Sequence, residues 1–117
     1  MPRDPRAYLT DIIESCEAIN SAVDDMDLEE YQSNRLVRSS VEREFIIIGE
    51  AISALSHNDP DIFQAITRAR RIIDFRNLLT HEYPTIDDAL VWAVVQTDIP
   101  VLLSECRNLV SQSSGEV

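Results

Sequence analysis

The residues Arg76 to Pro84, RNLLTHEYP, place a guanidinium, an imidazole and a phenol within one short segment. They follow an apolar pattern. Ile62, Ile66, Ala69 and Ile73 recur at helical spacing, and the next step of that stripe falls on Arg76. A guanidinium buried without a partner is costly, so Arg76 either extends to water or has a task there. Histidine moves protons near neutral pH and arginine holds phosphate oxygens as charge builds in a transition state. Together they suit cleavage of a phosphodiester beside a ribose 2′-hydroxyl. The same residues also suit plainer work, since arginine and histidine near a helix end cap carbonyls and a tyrosine before proline packs.

Geometry limits what one chain can do with this set. On a continuous helix, residues five apart such as Arg76 and His81 point about 140° apart, whereas Arg76 and Tyr83 share a face. Pro84 disfavours helical backbone at Tyr83, so the helix is expected to stop near His81. A lone histidine needs a second acid or base. A twofold dimer that brings two such helix ends together would supply one and would let Arg76 and His81 act across chains.

The elements that must position these residues are helices. The chain has 117 residues, two glycines and five prolines, and long stretches without turn signals; this predicts one all-α domain over residues 1–110 and a frayed tail at 111–117. Asp4 and Pro5 open a first helix to about Val23, with Leu9, Ile12, Ile13, Cys16, Ile19 and Val23 along one stripe. Asp27 with Glu30 reads as a capping box for a second helix to about Leu55, with a possible break near Ser33–Asn34. Ile46 and Ile47 make its middle apolar nearly all round, which favours a contact with a second subunit. Asn58 or Asp59 as cap, with Pro60 at the first helical position, opens a third helix to about Thr80. Thr85 with Asp88 opens a fourth to about Val110, where Pro100 should kink the helix or remove a hydrogen bond. The expected architecture is an antiparallel four- to five-helix bundle.

Composition narrows the functional classes. The net charge of −11 disfavours a general nucleic-acid binder, but the charge is uneven. Residues 1–30 carry nine acids against two arginines, while residues 31–80 carry six acids against seven. Every basic residue is arginine, which makes planar, bidentate contacts with phosphate or carboxylate. Arg68, Arg70 and Arg71 could extend an RNA footprint or meet an acidic partner; the acidic first helix would repel RNA. Glu50, a carboxylate within an apolar helix, calls for a partner, and Arg76 is the candidate, with Gly49 allowing close approach. No apolar run approaches the roughly 20 residues of a membrane span, so a soluble, cytoplasmic protein is expected. Cys16 and Cys106 form no C-x-x-C pair and read as buried thiols. No metal cluster, glycine-rich phosphate loop or cofactor motif is apparent.

Arg76, His81 and Tyr83 fit an Arg-x4-His-x-Tyr pattern. The chain thereby resembles HEPN-domain ribonuclease toxins of the HepT type, encoded beside a minimal nucleotidyltransferase (MNT) antitoxin. The segments VEREFIIIGEAISALS and TIDDALVWAVVQTDIPVLL are similar to the family's second and last helices. The resemblance implies a HEPN-like homodimer, a metal-independent endoribonuclease without cofactor, and a cleft between subunits lined by the signature. It implies Arg76 and His81 as catalytic, Asn77 as the polar residue after the arginine, and Tyr83 as the acceptor of AMP from the antitoxin. A rival expectation is a non-catalytic module in which the same cluster holds nucleotide or RNA, or docks the transferase.

Overall fold

All the helices but the fifth start where a short polar side chain caps them. The computed structural model describes residues 3–81 and 86–114, and over these it contains six helices and no strands. Helix α1 spans Pro5–Ala22, and the Asp4 carboxylate accepts from Arg6 N at 2.9 Å. Helix α2, Leu28–Ser33, carries the expected capping box: Glu30 N donates to Asp27 Oδ1 at 2.8 Å, and Asp27 N to Glu30 Oε1 at 3.0 Å. The anticipated break falls at Asn34, whose extended backbone ends α2 and whose side chain accepts from Val37 N to start α3, Arg35–Asn58.

The expected third helix is two. Helix α4, Pro60–Ala65, capped by Asp59, stops at Ile66, whose ψ of 108° is extended, and α5 runs over Ala69–His81. Glu105 from the last helix explains the break. Its carboxylate accepts from Thr67 N at 3.1 Å and from the Thr67 hydroxyl, satisfying a backbone donor freed from the helical ladder. No local signal marks this partner, which lies 38 residues away. Helix α6 spans Asp88–Ser114 through Pro100; Asp87 caps its start, accepting from Ala89 N and Leu90 N, while the anticipated Thr85 cap lies outside the described residues.

Helices α1, α3 and α6 enclose the core. α3 packs against α1 and α5, and α6 against α1 and α2. Leu9, Ile12, Ile19, Val41, Phe45, Ile48, Ile52, Leu55 and Ile99 are fully buried. Each such side chain contributes about 1.5–3 kcal/mol of transfer free energy. Ile46 packs partly buried on the core and Ile47, also partly exposed, lines grooves between α1 and α3. The section Asp88–Gln112 of α6 is long and apolar enough to cross a bilayer, contrary to the reading of apolar runs. In the fold it lies against α1 and α2 and buries Asp98, the arrangement of a core helix. Cys16 and Cys106 are buried and unpaired, and desolvation pushes both thiols up to about 12.

Candidate active site

The seat of the site is the contact between α3 and α5. Ile72, Ile73, Phe75 and Leu79 turn one side of α5 into the core, and Phe75 meets Phe45 of α3 edge-on with ring centroids 5.0 Å apart. One helical turn along α3 from Phe45 lies Gly49, buried, against which the stem of Arg76 rests. A methyl group at Gly49 would stand 2.5 Å from Arg76 Cγ and closer still to its Cβ. The close approach anticipated at this glycine is therefore occupied by the arginine stem itself.

Arg76 is half-buried, and its Nε–H is sealed from solvent with no hydrogen-bond partner among the described residues. A buried donor left unpaired in this way is uncommon and calls for a reason. Glu50 is exposed and makes no ion pair with Arg76 among the described residues; it faces a groove of about 190 Å³ shared with Arg3, Tyr8 and Asp11.

His81 is exposed at the last position of α5, and Asn77 is exposed one turn before it. Thr80 donates to the carbonyls of Arg76 and Asn77 at 3.2 Å each, tying the final turn together. Arg76 and His81 lie on one unbroken helix, so they are offset by about 140° and about 7.5 Å of rise. Within one chain they do not face a common point. Tyr83, the third member of the signature, lies outside the described residues. Beside the helix end, Phe75, Leu78, Leu79, Ile86, Asp87, Leu90 and Val91 line an apolar cavity of about 200 Å³.

The arginines at the other end of α5 have local partners. Arg68 donates to Asp98 Oδ1 at 2.6 Å, and Arg71 Nε lies 3.1 Å from Oδ2, off the line of a hydrogen bond. Arg70 is exposed, its guanidinium 5.5 Å from the Phe63 ring centroid. Asp98 is 1% exposed and also accepts from the Thr97 hydroxyl at 2.9 Å. The carboxylate that needs partners within an apolar helix is Asp98, in the run TDIP, rather than Glu50. Its signal was present in the sequence. Among the described residues no group of histidine, cysteine and carboxylate side chains could hold a metal ion.

The α3–α5 pair thus presents Arg76, whose Nε is unpartnered among the described residues, and the end-of-helix His81; comparison with known proteins gives the family. The family described as "Ribonuclease HepT-like" matches residues 12–109. The chain is 33% identical over 103 residues to "Putative RNase MJ1380" of Methanocaldococcus jannaschii, covering 88% of this chain and 94% of that protein. It is 30% identical over 112 residues to "Probable ribonuclease HepT" of Thermococcus cleftensis, covering 93% and 98% of the two chains. A third relative, "Putative RNase MJ1216" of Methanocaldococcus jannaschii, is 26% identical over 114 residues, covering 97% and 93%. No solved structure gives a significant match. The chain belongs to the HepT-like ribonuclease family.

Proposed function

We propose that this protein is a metal-independent endoribonuclease that works as a homodimer, and that it is the toxin of a toxin–antitoxin pair silenced by a nucleotidyltransferase. The observation that carries this reading is Arg76, half-buried on α5 with its Nε–H unpartnered among the described residues, on the same helix that ends in the exposed His81. His81 takes the proton of the RNA 2′-hydroxyl or returns one to the leaving 5′-oxygen, and Arg76 binds the nonbridging oxygens of the phosphate in transit. The angular offset between them is resolved by pairing Arg76 of one chain with His81 of the other across a twofold cleft. Asn77, exposed on α5, and Arg70, exposed on its first turn, lie on the helix that would face RNA. Tyr83 is the site at which the antitoxin attaches AMP, and the pair acts in the cytoplasm.

The test is RNA cleavage by purified protein in excess EDTA. Cleavage is expected to persist in EDTA. Arg76→Ala and His81→Ala are each expected to lower it about 100-fold or more, with an unchanged helical melt. Loss of cleavage in EDTA would remove the metal-independent mechanism, and full activity of His81→Ala would remove the proton-transfer role.

The net charge of −11 favours a second reading, a non-catalytic module that binds nucleotide or docks the transferase. Expression of the wild type separates the two. Growth arrest relieved by Arg76→Ala belongs to the enzyme, and growth indifferent to either form belongs to the module.

A further inference from the structure

The geometry points to Gly49 as the positioning residue of the site: its missing side chain lets α5 settle on α3 so that the Arg76 stem lies flat across it and the guanidinium is aimed by steric contact. This rests on the reading of Arg76 as the phosphate-binding group. Three observations carry it. Gly49 is buried in the middle of α3, where glycine costs a helix about 1 kcal/mol relative to alanine, so its presence calls for a reason. A Cβ at this position would crowd Arg76 Cβ and Cγ to 2.5 Å or less and leave Cδ at 3.6 Å; the three atoms nearest to such a methyl all belong to Arg76. Finally, Arg76 Nε has no hydrogen-bond partner among the described residues, so no polar contact there fixes the side chain's direction.

The crowding atoms belong to the base of the side chain, close to the α5 backbone. Cβ is fixed to the α5 backbone, and Cγ moves only with a change of χ1. A methyl at residue 49 must therefore either lift α5 from α3 or swing the Arg76 stem to another rotamer. Both displace the guanidinium by something near 1 Å, and a displacement of that size at a reacting group costs about 100-fold in rate. Substrate capture by exposed groups is little affected.

The experiment is a double-mutant cycle on RNA cleavage, with a parallel spectroscopic readout that needs no activity. Gly49→Ala is expected to lower kcat about 100-fold with KM within threefold of wild type. In an Arg76→Gly background, which carries neither crowding atom and no guanidinium to misplace, the same change is expected to cost nothing further. In NMR spectra of the wild type, the Arg76 Nε–Hε signal is expected to exchange slowly with water, and in Gly49→Ala to shift and exchange faster. Should Gly49→Ala not fold, the swap Gly49→Ala/Arg76→Gly, which takes away both crowding atoms, is expected to restore the cooperative melt. An unchanged Nε–Hε signal in a folded Gly49→Ala, an equal loss of activity in both backgrounds, or a swap that stays unfolded would overturn the assignment. A wild type that cleaves no RNA removes the ribonuclease reading alone, and the Nε–Hε signal still decides whether Gly49 aims Arg76.

Discussion

Arg76 interrupts an apolar stripe without leaving it, because its hydrocarbon stem fills the place of an aliphatic side chain against Gly49 while the charged end reaches past the contact. A different balance holds at Glu42. Its carboxyl is raised above the ordinary 4.5, first by desolvation and then by the nearby Asp88, with Arg38 opposing. The folded state therefore binds this proton more readily than the unfolded chain does, and between 4.5 and the higher folded value the contribution of Glu42 to stability falls as pH rises. Glu42→Gln removes that contribution. Its thermal melt at pH 7 is expected above that of the wild type, and the two melts are expected to converge below pH 4.5. A wild-type melt equal to that of the variant at pH 7 would show that the carboxylate is fully solvated. Tyr31, beside it, is buried against Trp92 at 5.4 Å with its hydroxyl unpartnered among the described residues, and burial raises its titration as well.

Helix α5 is held by unlike contacts at its two ends. Near the C-terminal end it rests on α3 through Phe75 and Arg76, and at its N-terminal end Arg68 and Arg71 reach across to Asp98 of α6 while Thr67 binds Glu105. Asp98 has no exposed side-chain surface, whereas the side chains of Arg68 and Arg71 are 37% and 60% exposed. Removing an arginine strands a buried charge; removing the carboxylate leaves two cations that water can solvate. Arg68→Ala is accordingly expected to cost about 2–3 kcal/mol, softened from the usual range because Arg71 remains. Asp98→Asn keeps the shape, loses the charge and is expected to cost about 1 kcal/mol. Urea unfolding of the two variants checks the order, and a larger loss for Asp98→Asn would show that the pair is net stabilising as an ion pair.

At the scale of the molecule, the bundle is elongated, 47 × 29 × 22 Å, and a single chain leaves Arg76 and His81 on divergent faces of one helix. The proposed cleft therefore needs two chains, and subunit mixing tests it. Arg76→Ala and His81→Ala are each expected to be inactive alone, and an unfolded-and-refolded mixture is expected to regain cleavage. Each mixed dimer holds one intact Arg76 and one intact His81 on opposite chains. A mixture as inactive as its components would place both groups of each site on the same chain. Sedimentation is expected to give twice the chain mass for wild type and variants alike.

Much of this was legible in the linear chain. Asp4–Pro5, Asp27–Glu30 and Asp59–Pro60 mark helix starts because capping is settled by neighbours a few residues apart. The apolar stripes of α1, α3 and α5 name most of the core, and the arginine within one of them, with the histidine after it, named the candidate site. Other features depend on partners far along the chain. The break between α4 and α5 is stabilised by Glu105, the arginine pair serves Asp98, and Glu50 faces an open groove instead of Arg76. Periodicity shows which face of a helix is buried but not which residue of another helix lies opposite. That opposition is fixed when helices pack, and it is why Gly49 and Arg76, 27 residues apart, meet at a contact only the tertiary structure decided.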